Sequence, residues 1–186
     1  MGSYLGLDLS LTGTGFFLIR QDGTTDFCEI KTKPKDFSSL IRRTKFIAEK
    51  ILERLGGEKP ELVLLEDYFI GMGSSGDTVK SLACLGTIVR DRLLQAGLSY
   101  IALKPSQIKK FETGKGVAPK DNMLKEVFKH HGLDTSSNNI ADACAMAYMC
   151  KGYCQWLKGE RDFLKFQLEV LKGIKDQIEP PYEKDK

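Results

Sequence analysis

Residues 3–33 read SYLGLDLSLTGTGFFLIRQDGTTDFCEIKTK. Apolar, β-prone runs interrupted at Gly13 and at Asp22-Gly23 predict three successive strands, and an Asp-Gly pair between such runs is a strong hairpin signal. Side chains alternate along a strand, so Asp8, flanked by Leu7 and Leu9, points away from both leucines and shares a face with Gly6.

The pattern then changes period. In DFSSLIRRTKFIAEKILERLGG (36–57) the apolar positions Leu40, Ile41, Ile47, Ile51 and Leu55 fall at helical spacing, with Asp36 or Ser38 as the expected cap and Gly56 as the stop. ELVLLEDYF (61–69) is a short continuous apolar run of the kind buried in a sheet. A Gly- and Ser-rich loop follows, then a helix in TVKSLACLGTIVRDRLLQAG (78–97) and a strand in LSYIALKP (98–105), closed by Pro105. After a basic loop, KDNMLKEVFKHHG (120–132) and SSNNIADACAMAYMCKGY (136–153) read as helices. Beyond Gly159 one amphipathic helix is expected, with Phe163, Phe166, Val170, Leu171, Ile174 and Ile178 apolar, before a charged tail. The order β-β-β-α-β-α-β predicts an α/β fold: three antiparallel strands extended by two on helical crossovers into a mixed sheet flanked by helices.

The chain of 186 residues, 41% of them hydrophobic, is long enough for one domain with a full core. No apolar run approaches the roughly 20 residues of a membrane helix, and the first ten residues lack the form of a signal peptide. The expectation is a soluble, cytoplasmic protein without membrane contact. Five cysteines with no CxxC spacing argue against a structural zinc site. His130 and His131 are adjacent, so a helix would send them in different directions; they are expected on the surface rather than as a ligand pair. Net charge is only +3, yet seven lysines lie between Lys104 and Lys129 against Glu112, Asp121 and Glu126. That stretch, including Lys109, Lys115 and Lys120, is a candidate track for phosphates.

Asp142 is out of place in a helix of Ala, Cys, Met and Ile, because a buried unpaired carboxylate costs several kcal/mol or is neutralised. Asp8, and Glu66 at the end of LVLLE, share the problem. Like charges cannot gather without a cation, and a divalent metal bound through oxygen would serve all three. The other reading has Asp8 and Glu66 capping turns while Asp142 meets an arginine or a backbone amide.

Several stretches, in order and at similar spacing over residues 3–155, resemble the RuvC-like Holliday junction resolvases. They are LGLDLSLTGTGFFLI (5–19), LVLLEDYFIG (62–71), GDTVKSLACLGTIVRDRLLQAG (76–97), KPSQIKKFETGKGVAPKDNM (104–123) and NNIADACAMAY (138–148). The resemblance implies a ribonuclease H-like fold over residues 1–158, with 159–186 a C-terminal helical extension and tail. It implies metal-dependent hydrolysis of branched DNA, with Mg²⁺ or Mn²⁺ as cofactor and two ions per site. Asp8, Glu66 and Asp142 match the metal-binding carboxylates, and Lys120 a lysine beside the scissile phosphate. Lys109 matches a basic position near DNA, and Phe69 an aromatic that engages a base; Tyr68 and Phe69 could also pack one ring into the core. Where the family often has a further acid, this chain has Asn139, whose amide oxygen can still face a metal, with Asp134 or water assisting.

A two-fold substrate implies a homodimer, with the helix Asp77–Leu94 and the C-terminal helix as candidate surfaces, although the latter is expected to fold back on its own domain. A bacterial or phage-infected cell is the expected setting. Alternatives are a related nuclease on flaps, forks or RNA, and a non-catalytic junction binder. GLDLSLTGTG also resembles the first phosphate loop of the actin and sugar-kinase superfamily, but no second half or second loop is present, and TGKGVAPK lacks the P-loop pattern.

Overall fold

The computed structural model describes residues 2–67 and 75–181. Its strands are β1 (Tyr4–Asp8), β2 (Gly13–Ile19), β3 (Thr25–Lys31), β4 (Leu62–Glu66) and β5 (Tyr100–Leu103). Its helices are α1 (Leu40–Leu55), α2 (Gly76–Gln95), α3 (Pro105–Thr113), α4 (Lys120–His131), α5 (Asn138–Leu157) and α6 (Lys165–Gly173). The five strands form one sheet in the order β3-β2-β1-β4-β5. β2 is antiparallel to β1 and β3, whereas β1, β4 and β5 are parallel. This is the mixed sheet expected from the element order.

Strand alternation sorts the core into two layers. Leu5, Leu7, Phe16, Leu18, Val63 and Leu65 face α1 and α2, meeting Ile47, Ile51, Leu85 and Val89. Tyr4, Phe17, Leu62, Leu64 and Ile101 face the other way, onto α5 and, around it, α3, α4 and α6. α5 is buried along most of its length and lies close to the sheet, because glycine stands beneath it. A Cβ on Gly6 would come within 2.0 Å of the Ala143 carbonyl oxygen, and one on Gly15 within 2.0 Å of the Asn139 carbonyl oxygen. Glycine weakens a strand but permits such an approach.

Four local expectations need correction. The segment after Pro105 is a helix, α3, not a loop: Pro105 occupies its first position, the Gln107 side chain accepts from the Lys104 amide at 2.8 Å, and Gly114 ends it with φ +78°. α1 is capped by Ser39, whose hydroxyl accepts from the Arg42 amide, while Asp36 lies in a 3-10 turn, Pro34–Asp36. The C-terminal helix covers only nine residues. It folds back, with Val170, Leu171 and Ile174 entering the α5 core and the Tyr153 hydroxyl donating to the Lys175 carbonyl at 3.0 Å. A turn over 174–176 follows, and Glu179 then pairs with Tyr100 at the sheet edge. Finally, His130 and His131 do not part company; both reach the carboxylate of Glu112. Among the described residues no helix is long and apolar enough to cross a membrane.

Candidate active site

Asp8 and Glu66 are the last residues of β1 and β4, adjacent parallel strands registered Leu7 opposite Leu65. Parity puts Asp8 with Gly6 and Glu66 with Leu64, on the face that α5 covers. α5 starts beneath the Ser137 hydroxyl, which accepts from the Ile140 amide at 3.3 Å, and carries Asp142 in its second turn. Three elements distant in sequence thus bring three acids to the strand ends, where open α/β sheets place their sites.

The three acids repel one another. Burial pushes Asp8 far above the usual carboxylate range, and the charges of Glu66 and Asp142 push it further, with Lys120 opposing. Glu66 is pushed up to about 7 by burial and then by Asp142, against Lys109 and Lys120. Asp142 is pushed up to about 6 by burial, again against both lysines. Among the described residues no hydrogen bond or ion pair meets any of the three carboxylates, so neither turn capping nor pairing with arginine accounts for them. Oxygen donors that are desolvated, mutually repelling and without protein partners fit a hard divalent cation.

Lys120 is the first residue of α4 and exposed; Lys109 lies on α3. The helix missed in the sequence therefore presents one of the two lysines. Lys115 sits on the exposed α3–α4 loop, its amide held by the Thr113 hydroxyl at 3.2 Å. Tyr68 and Phe69 lie outside the described residues.

Asn139 is in the site but partly committed. Its side-chain amide nitrogen donates to the Gly13 carbonyl at 2.7 Å and to Glu29 Oε1 at 2.8 Å. Glu29 is the acid that sequence reasoning missed: it pairs across β3 with Gly15, which pairs across β2 with Asp8, and its charge adds to those raising Asp8. The signal was present in the strand pattern, but only the correct hairpin register reveals it. Among the described residues no interaction joins Asp134 to the cluster.

The loop that follows Asp8 is braced from within. The Thr14 hydroxyl donates to the Ser10 carbonyl at 2.7 Å and accepts from the Ser10 amide at 3.2 Å. Arg43, 6% exposed, donates to the Leu11 carbonyl at 2.8 Å, the Thr32 hydroxyl at 2.7 Å and the Thr32 carbonyl at 3.1 Å. A buried guanidinium thus ties α1 to the β1–β2 loop and to the residue that follows β3, which lie side by side at one end of the sheet.

Residues 4–150 match the sequence pattern of the family described as crossover junction endodeoxyribonuclease RuvC. The RuvC of Carboxydothermus hydrogenoformans is 36% identical over 112 residues, covering 58% of this chain and 68% of the relative. That of Synechococcus sp. strain CC9311 is 30% identical over 155 residues, covering 77% and 94% respectively. Among solved structures, T. thermophilus RuvC in complex with a Holliday junction substrate superimposes with a TM-score of 0.69 at 21% identity, over 84% of this chain and 96% of that one. A second Thermus thermophilus RuvC structure gives 0.65 at 23% identity. With the pattern covering most of the chain and the fold reproduced, the chain belongs to the RuvC family of crossover junction endodeoxyribonucleases, divalent-metal-dependent enzymes with a ribonuclease H-like fold.

Proposed function

We propose that this chain resolves four-way DNA junctions by paired phosphodiester cleavage, acting in the cytoplasm as a homodimer with Mg²⁺ (Mn²⁺ as the alternative), two ions per site. The observation that carries the reading is the convergence of Asp8, Glu66 and Asp142, desolvated and, among the described residues, without protein donors, with Lys109 and Lys120 facing them. An all-oxygen donor set suits Mg²⁺ over softer metals.

Bound divalent cations supply the positive charge that keeps the carboxylates ionised together and assist in-line displacement at phosphorus. The protein's own part is placement. Asp8 and Glu66 project from the rigid ends of neighbouring strands, and Asp142 closes the site from α5. Lys120 neutralises negative charge developing on the phosphate, and Lys109 steadies the strand beside it. Lys115 continues the positive track, and Tyr68 and Phe69 are proposed to meet an unstacked base. Asn139 offers its amide oxygen, with Glu29 behind it as the additional charge. For the dimer, α2 is the proposed surface, with Val79, Leu82 and Ala83 only partly covered.

The test is a synthetic four-way junction with labelled arms, incubated with Mg²⁺ or Mn²⁺ alongside linear duplex. Symmetric nicks near the branch point are expected with metal. In Asp8→Asn they should fall by more than about 100-fold, since even outer partners of metal ligands cost 10–100-fold, while junction binding persists. Tight binding without cleavage in either metal would refute catalysis and point to Asn139. Sedimentation of the free chain checks the dimer.

A further inference from the structure

We propose that Glu112, His130 and His131 form a second metal site, for Zn²⁺ or a similar borderline transition metal, which clamps α3 to α4. It shares no residue with the Asp8–Glu66–Asp142 cluster and does not rest on the function proposed above. Its donor set also differs in kind: two imidazoles and one carboxylate, against oxygen alone.

The geometry is that of a ligand set. His130 Nδ1 lies 2.9 Å from Glu112 Oε1, and His131 Nε2 lies 3.1 Å from Glu112 Oε2. One potential ligand atom from each residue falls within 4.8 Å of the other two. Tetrahedral Zn²⁺, with ligands at about 2.0–2.2 Å, sets its donors roughly 3.4 Å apart. The two glutamate–histidine separations need to open by only a few tenths of an ångström, and the remaining separation, no more than 4.8 Å, closes by rotation of the exposed His130 ring.

The surroundings fix the rings. His130 turns its other nitrogen, Nε2, to Glu126 Oε2 at 3.4 Å, which gives the carboxylate–imidazole–metal order that orients ligating histidines. His131 is stacked on Tyr148 of α5, with ring centroids 3.8 Å apart and planes 10° apart. Glu112 is 3% exposed, whereas His130 is 38% exposed on its side chain, so the cluster has a buried anchor and a solvent-facing mouth. That leaves a fourth position open to water, as in sites with two histidines and one glutamate.

Adjacent histidines usually diverge on a helix. Here they stand at the end of α4, where Gly132 turns the chain with φ +68°, and both rings reach back to α3. The clamp has a functional setting. Glu112 is one turn beyond Lys109 on α3, and α4 begins with Lys120, so the metal would fix the two helices that carry both site lysines.

The experiment measures metal in the full chain in an Asp8→Asn background, which weakens the carboxylate cluster as a competing site. The protein is stripped with chelator, loaded with Zn²⁺, desalted, and its zinc counted by mass spectrometry. Co²⁺ loading adds visible absorption characteristic of tetrahedral nitrogen and oxygen ligation. One zinc per chain, a rise in melting temperature on loading, and loss of both in Glu112→Gln and His131→Gln are expected. His130→Gln, at the exposed end, should keep its circular dichroism spectrum yet bind zinc at least about tenfold more weakly. Failure to retain zinc, or retention that His130→Gln and Glu112→Gln leave unchanged, overturns the proposal and leaves a hydrogen-bonded triad. No junction DNA enters the assay, so its outcome is independent of cleavage.

Discussion

Asp8 and Glu29 stand two strands apart on the same face of the sheet, each directly opposite Gly15. Because Gly15 carries no side chain, the space between the two acids is taken by the first turn of α5, and Asn139 reaches down there to Glu29. A fourth acid therefore stands beside the site, carried by the third strand. Asn139 serves as its hydrogen-bond donor, which an aspartate at 139 could not do.

Asn139→Asp tests this arrangement. The new carboxylate would face two acceptors, the Gly13 carbonyl and Glu29, where the amide now donates at 2.7 and 2.8 Å. In metal-free protein the expected loss is about 1–3 kcal/mol, the usual cost of leaving such groups unsatisfied. Adding Glu29→Gln restores a donor, and a urea double-mutant cycle should return a coupling of about 1–2 kcal/mol. An Asn139→Asp chain as stable as the parent, with no coupling, would sink the assignment.

The acid cluster also sets a pH dependence for the metal-free chain. Glu66 titrates near 7 when folded, against an ordinary value of 4.5, and Asp142 near 6 against 3.8. Between about pH 4 and 7 the folded chain thus holds more protons than the unfolded one at these groups, so their contribution to stability falls as pH rises. After allowance for solvent screening at the open strand ends, each contributes about 1–2 kcal/mol. In chelator, Glu66→Gln should be more stable than the parent at pH 8, with the gap closing towards pH 5. Mg²⁺ should reverse the order at pH 8. A gap that is flat with pH, or that widens towards acid, contradicts the linkage.

Much of this was legible in the sequence. Asp8 and Asp142 stood out because a carboxylate in an apolar run needs an explanation, and the succession of strands and helices along the chain followed from the change of period after Lys33. α3 was not legible as a helix because Pro105 reads equally as a strand terminator and as a first helical residue; only the Gln107 side chain on the Lys104 amide decides. Glu29 was hidden by one residue of register. Arg20 bonds Thr24 across a three-residue turn, with Gly23 at φ +85°, so Ile19 pairs with Thr25 and Gly15 with Glu29. A two-residue Asp-Gly turn would have set Phe16 opposite Glu29 and sent the acid to the other face. The Glu112 triad needed the tertiary fold, since nothing in sequence links residue 112 to 130 and 131.

Lys120 should act on the rate rather than on binding. It is exposed at the start of α4, and its charge reaches all three acids. Lys120→Ala is expected to slow single-turnover junction cleavage about 10²–10³-fold, as loss of one charge-stabilising donor does. The junction dissociation constant should change only a few-fold. Lys115→Ala, on the exposed loop, should do the opposite, with a weaker salt dependence of binding and little change in rate. Equal effects of the two substitutions on both quantities would mean that Lys120 merely tracks the backbone.

Gly15 bears on both the fold and the chemistry, and Gly15→Ala measures the connection. The added Cβ would fall 2.0 Å from the Asn139 carbonyl oxygen and 3.2 Å from the Ala143 side chain. The first of these is helix backbone, which no change of rotamer can relieve, so α5 must lift from the sheet. Overpacking of a tight core costs about 1–3 kcal/mol and sometimes more, and the upper end is expected here. Because Asn139 lies on the displaced turn and Asp142 on the next, the same methyl should also pull Asp142 away from Asp8 and Glu66 and shrink the gain in melting temperature that Mg²⁺ confers. Gly173→Ala is the control: it ends α6 with nothing within 4 Å of the added carbon, and it should be neutral or slightly stabilising. If Gly15→Ala lowers stability yet keeps the full Mg²⁺ gain, the spacing of α5 from the sheet does not set the metal site, and Asp142 is held by some other contact.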